Sequence, residues 1–266
     1  MAARVLHLSD LHVGTREAPE IVEPLKRLIE RMQPELVVAS GDLTHRGRAV
    51  HHERAAAFLR SLGPRVLAVP GNHDIPYTFP ARFTRPFAEF ERHWQTAEPV
   101  FSSPTLHVVG LNSVRPWRHQ SGRIRGEQIA RAAELLAAAP EGALRVVALH
   151  HHLAAPPWRA ARKRPLKDRD HVLERLAGAG AELVAAGHVH QGGVAERREF
   201  EALEDGQAGS IVLATVPGLG RPRPRRRGEA RGVNVYEADT ASLTVTTFAW
   251  DGSAFAETGR RLFPRS

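Results

Sequence analysis

Short apolar runs that stop abruptly in polar sequence constrain this chain more than any other feature. "RVLHLS" (4–9), "ELVVAS" (35–40), "RVLAVP" (65–70), "LHVVGL" (106–111), "LRVVAL" (144–149) and "AELVAAG" (181–187) have the length and β-branched content of strands. Between most of them, over 20–32, 51–62, 126–139 and 168–180, apolar residues recur at three- and four-residue spacing and predict helices. Strands alternating with helices build a sheet with crossover connections, which is the α/β class. From about 193 the pattern turns β-rich without helices, over 210–216, 232–238 and 242–250, and predicts antiparallel strands that complete a second sheet. No Ser/Gly linker or internal repeat divides the sequence, so 1–266 reads as a single domain with 193–266 as its β-rich tail. The segment 76–104, rich in Pro and aromatic residues, reads as a long excursion over the active face.

The polar clusters at the ends of these runs carry the chemistry. They are Asp10 and His12 in "SDLH", Asp42 in "SGDLT", Asn72, His73 and Asp74 in "GNHD", His150 in "ALHHH", and His188 and His190 in "AGHVH". In α/β sheets the carboxyl ends of strands face a shared crevice, so residues far apart in sequence converge there. Cysteine is absent, which leaves Asp, His, Asn and Glu to hold any metal. Carboxylate and imidazole together suit divalent transition metals, and a shared carboxylate can bridge two ions. Asp42 is the candidate bridge. Of the three imidazoles at 150–152, His150 comes first after the apolar run and is the candidate ligand; His151 and His152 read as supporting or substrate-facing.

The ordered set D-x-H, G-D, G-N-H-D, H, G-H-x-H resembles the calcineurin-like metallophosphoesterase superfamily over residues 4–190. "SDLHVG", "GDLTHRG" and "PGNHDIP" are most similar to the branch that contains bacterial cyclic-nucleotide phosphodiesterases. The resemblance implies a two-sheet β-sandwich flanked by helices and two divalent ions, Mn, Fe, Zn or Co. It implies that Asp10, His12 and His190 hold one ion, that Asn72, His150 and His188 hold the other, and that Asp42 touches both. It further implies that His73 contacts the phosphate and assists the leaving group, with Asn72 helping to orient the phosphate. Two cations acidify a bridging water and neutralise the phosphate it attacks, and an imidazolium beside the phosphate can protonate the departing alkoxide. Phosphoprotein-phosphatase relatives carry an Asp where "GDLTHRG" has His45, which argues against that activity; Asp74 joins His73 and Asn72 as a candidate catalytic residue, one that polarises or positions nearby groups.

The expected activity is therefore hydrolysis of a small phosphoester, with a phosphodiester preferred. The net charge of +8 invites a nucleic-acid partner, but "RPRPRRRGEAR" (221–231) alone contributes +5 of it. A nuclease acting on DNA or RNA and a non-catalytic metal-dependent binding protein are the alternatives; the ligand set is complete, which disfavours the second. No run of about eighteen apolar residues occurs, so no membrane insertion is expected and the chain reads as cytoplasmic. His51 and His52, at a helix start, read as surface residues. Trp94, Trp117, Trp158, Phe79, Phe83, Phe87 and Phe90 read as packing of the excursion, with a pocket wall as the alternative, and Arg115 and Arg118 as weaker candidates for phosphate contact.

Overall fold

The computed structural model describes residues 2–15, 18–118, 120–154, 163–200, 211–220 and 229–265. Two six-stranded sheets stack face to face. In the first, β1 (Ala3–Leu8), β2 (Leu36–Ala39) and β3 (Arg65–Ala68) run parallel, and β10 (Gly232–Ala238), β11 (Ser242–Trp250) and β12 (Phe255–Pro264) continue it antiparallel from β1. In the second, β5 (Leu106–Gly110), β6 (Leu144–Leu149), β7 (Leu183–Ala186) and β9 (Val212–Thr215) run parallel, edged by the antiparallel strands β4 (Val100–Ser102) and β8 (Gly193–Glu196).

Strand alternation creates three apolar layers. Val5, Val38, Leu67, Val108, Val146 and Leu183 face the partner sheet and form the central core. Leu6, Leu8, Val37 and Ala39 point outward, where α1 (Val22–Met32), α2 (Ala49–Arg60) and α4 (Ala88–Trp94) cover them with Leu25, Leu28, Leu59 and Phe90. On the far side Val109, Val147 and Val184 lie under α5 (Gly126–Ala137) and α6 (Arg169–Gly178), through Ile129, Leu136, Leu173 and Leu176. A sheet covered on both faces needs near-continuous apolar strands, which is why the runs were legible. The fold is the expected two-sheet sandwich flanked by helices.

Two expectations are corrected. The tail does not simply complete the second sheet: only β8 and β9 join it, β9 parallel to β7, while β10–β12 extend the first. Alternation marks a strand but carries no information about its partner. His52 is fully buried, its Nε2 3.0 Å from the Asp74 carbonyl oxygen and its ring edge-on to Phe90, because α2 turns its first apolar face toward the loop after β3.

The excursion divides by chemistry. A short turn of helix, α3 (Ala81–Thr84), leads into α4, whose Phe90 and Trp94 pack into the outer core; Phe79, Phe83 and Trp117 stay exposed. Trp158 and 221–228 lie outside the described residues. Among the described residues no helix is long and apolar enough to cross a membrane.

Candidate metal centre

The loops after β1, β2, β3, β6 and β7 all leave their strands at the same end of the sandwich. Backbone shape there is unusual. Asp10, His12, Asp42, His188 and His190 all have positive φ, between 49° and 70°, a left-handed conformation that costs ordinary side chains energy and is best tolerated by Asn, Asp and His. Glycines allow the loops to touch. A Cβ on Gly71 would stand 2.1 Å from the Asp42 amide nitrogen, and one on Gly187 would stand 2.0 Å from Ser9 Oγ. The glycine preceding Asn72 and the glycine preceding His188 are therefore required by close approach, not by local turn shape alone.

Two groups of ligand atoms result. Asp10, His12 and His190 bring one atom each within 4.8 Å of one another, and Asp42, His150 and His188 do the same. In the first, His190 Nε2 lies 3.0 Å from Asp10 Oδ1 and 3.2 Å from His12 Nε2. In the second, His188 Nδ1 and His150 Nε2 stand 3.2 Å apart. Asp42 stands between the groups: its Oδ2 is 3.4 Å from His150 Nε2 and 3.8 Å from His12 Nε2.

The donor set fits a cation. Asp10 Oδ1, Asp42 Oδ2 and both polar atoms of the Asn72 side chain are buried without a hydrogen-bond partner, although such groups are normally satisfied. Two nitrogens that share one ion at a metal–nitrogen distance of about 2.1 Å stand roughly 3.0–3.4 Å apart, the spacing both imidazole pairs adopt. Burial, the dominant effect, pushes His12 down to about 3 and His188 well below its ordinary value, so both are neutral and ready to ligate. Burial alone would raise Asp10 and Asp42. The neighbouring imidazoles together outweigh it, His190 and His150 for Asp10 and His150, His73 and His12 for Asp42, and both carboxylates stay ionised. Burial would lower His150, but the Asp42 carboxylate raises it to about 9.

Supporting contacts orient these side chains. His150 Nδ1 donates to the Ser40 carbonyl at 2.8 Å, turning Nε2 toward Asp42. Asp10 Oδ2 accepts the His188 amide at 3.0 Å, and Asp42 Oδ1 accepts the His73 amide at 2.8 Å. Glu229 Oε2 lies 3.8 Å from His190 Nδ1, and Lys163 Nζ donates to the His188 carbonyl. Asp74 is committed to the backbone: its carboxylate accepts amides from Leu43, Thr44 and Gly71 at 3.1, 2.7 and 2.8 Å, which locks the β2 loop to the β3 loop. His73 Nδ1 lies 2.9 Å from the His45 carbonyl oxygen and 2.8 Å from the Tyr77 hydroxyl. His151 Nδ1 pairs with Ser113 Oγ at 2.8 Å, and His152 is buried beside the His188 ring. Arg115 is spent inside, on the carbonyls of Asn112 and Val114 and on Gln128 Oε1.

Comparison with known proteins decides the family. The family model described as calcineurin-like phosphoesterase matches residues 3–192. The chain belongs to that family.

Its relatives carry related names. Over 202 residues it is 28% identical to a protein of Synechococcus sp. described as a probable cyclic nucleotide phosphodiesterase, covering 72% of this chain and 74% of that one. Over 200 residues it is 27% identical to a protein of Rhodococcus erythropolis with the same description, covering 70% of this chain and 64% of the relative. The fold matches a purple acid phosphatase from yellow lupin with a TM-score of 0.71 at 13% identity, covering 97% of this phosphoesterase and 53% of the lupin chain.

Sequence reasoning did not find Glu229, Lys163 or Tyr77. Glu229 and Lys163 reach the site from loops far from any strand-tip motif. Tyr77, four residues after His73, has no signal that sets it apart from the other aromatics of the excursion.

Proposed function

We propose that this chain is a phosphodiesterase that uses two divalent ions, held by Asp10, His12 and His190 on one side and Asn72, His150 and His188 on the other, with Asp42 shared. The observation that carries the reading is the Asp42 carboxylate, whose Oδ2 faces both groups while Oδ1 is pinned by the His73 amide. Two such ions, when bound, supply an acidified water and offset the charge of the phosphate. The ions are Mn, Fe, Zn or Co, since oxygen and imidazole donors suit all four.

The side chains do the remaining work. Asp42 ties ion binding to the placement of His73, because one carboxylate serves both. His73 donates through Nδ1 to the His45 carbonyl, so Nε2 is the nitrogen that meets the substrate and gives its proton to the leaving alkoxide. Asn72, buried and otherwise unpaired, offers its carbonyl oxygen to an ion and its amide to the phosphate. Asp74 holds the two loops in register and touches no reacting atom.

A phosphodiester with a flat organic group suits the rim. Tyr77 lies against His73, Arg82 sits over the Tyr77 ring and donates to the Pro116 carbonyl, and the adjoining Phe83 and Trp117 stack in parallel at 5.9 Å on the exposed side. Such a surface accepts a nucleobase or aryl group by stacking. The names of the Synechococcus and Rhodococcus relatives point the same way.

The test is hydrolysis of bis-p-nitrophenyl phosphate and of cyclic nucleotides by metal-stripped protein reloaded with Mn, Fe, Zn or Co. Turnover that requires added metal is expected. No turnover with any of the four overturns the reading, and a steep loss of activity with salt on DNA or RNA would move it to a nuclease.

A further inference from the structure

A third set of nitrogens lies beside the two groups already described. His12, His45 and His73 each bring one ring nitrogen within 4.8 Å of the others. The His45 and His73 rings are nearly parallel, 17° apart with centroids 5.4 Å apart, and His12 stands at right angles to His73 at 4.9 Å. No carboxylate belongs to this set. Three imidazoles favour zinc, copper or nickel over magnesium or manganese, so its chemistry differs from the mixed Asp/His groups beside it. His45 belongs to neither of those groups, and the set depends on an imidazole at that one position.

We propose that His45 and His73, together with His12, form a third site for a soft divalent cation, zinc foremost, and that filling it inhibits the enzyme. A ring nitrogen has a single lone pair, so while His12 holds an ion of the first group the third ion keeps His45 and His73 as its firm ligands, with water completing its shell, and is repelled by the ions already present. It therefore binds more weakly than the pair and fills only when zinc is in excess. Once it is bound, His73 has no nitrogen left to meet a phosphate or to protonate a leaving group, so turnover stops while the pair stays loaded. The inhibitory half rests on the reading of His73 given above; the binding half does not.

The 266-residue protein is equilibrated with excess zinc and the bound metal counted, for the wild type, His45→Ala, the more conservative His45→Gln, and His171→Ala as an exposed-histidine control. Both position-45 variants keep the backbone carbonyl that receives His73 Nδ1. The wild type and His171→Ala are expected to bind one more equivalent than either position-45 variant, and a cobalt titration should lose its last absorption change in those variants alone. On manganese-loaded protein, with each variant's turnover taken relative to its own zinc-free rate, the zinc concentration that halves turnover should rise at least about tenfold in His45→Ala, the scale on which a lost ligand weakens a metal site. Equal stoichiometry at position 45 overturns the site, and an unchanged zinc dependence overturns its inhibitory role. Absence of turnover with every metal would defeat the phosphodiesterase reading alone, because the metal count and the cobalt spectra would still decide the site.

Discussion

His7 on β1 and His188 just after β7 are both fully buried imidazoles, and they do opposite jobs. His7 points into the space between the sheets with both nitrogens engaged, Nδ1 2.6 Å from the Tyr236 hydroxyl and Nε2 2.7 Å from Ser40 Oγ. His188 keeps Nε2 without a hydrogen-bond partner and turns Nδ1 toward another imidazole nitrogen at 3.2 Å. Burial lowers both, His7 to about 3 and His188 well below its ordinary value, so both are neutral near pH 7. Burial therefore does not separate structure from chemistry here. The separation lies in what the buried nitrogens face: hydroxyl groups for His7, and for His188 a second imidazole nitrogen at the spacing two ligands of one ion adopt.

The sharpest way to break this contrast is at the strand tips. Asp42→Asn should leave the fold intact by circular dichroism, lower bound metal in both groups and reduce turnover by on the order of a thousandfold, as loss of several kcal/mol of electrostatic stabilisation implies. Retention of both ions and full activity would remove Asp42 from its shared position. Next in size, His73→Ala should keep the metal content and slow turnover by about a hundredfold or more, most for substrates with basic leaving groups. Equal slowing across a series of substituted aryl phosphodiesters would exclude proton donation.

Two smaller effects test the satisfied side. Asp74→Ala strips three buried amides of their acceptor and should cost on the order of 3 kcal/mol in urea unfolding, with a lower Tm and loosened metal binding. A Tm equal to that of the wild type would show that the two loops hold together without it. The smallest effect is acid sensitivity. Because the folded value of His7 lies below its unfolded value, its contribution to stability is complete above about pH 6.5. That contribution is lost as pH falls toward 3, since only the unfolded chain takes up the proton. For metal-free protein this amounts to at most about 2 kcal/mol from His7 by pH 5. His7→Gln should flatten that part of the curve, and an unchanged slope would assign the acid sensitivity to other buried histidines.

The alternation of strands and helices and the identity of the strand-tip residues were legible because both are local. Periodicity follows from backbone geometry over a few residues, and "SDLH", "GD", "GNHD" and "GHVH" place their side chains directly after apolar runs. Left-handed backbone at Asp42 and His188 had a partial signal, since each follows a glycine and Asp and His tolerate that conformation. What only the tertiary structure decided depends on contacts across long stretches of chain. It split the tail between two sheets, buried His52 against Asp74, committed the Asp74 carboxylate to three amides, brought His45 against His73, and delivered Glu229 and Lys163 to the site. The physical reason is that residue type and spacing determine which face a side chain occupies, whereas the partner it finds there is determined by strand order and loop packing, which no local pattern encodes.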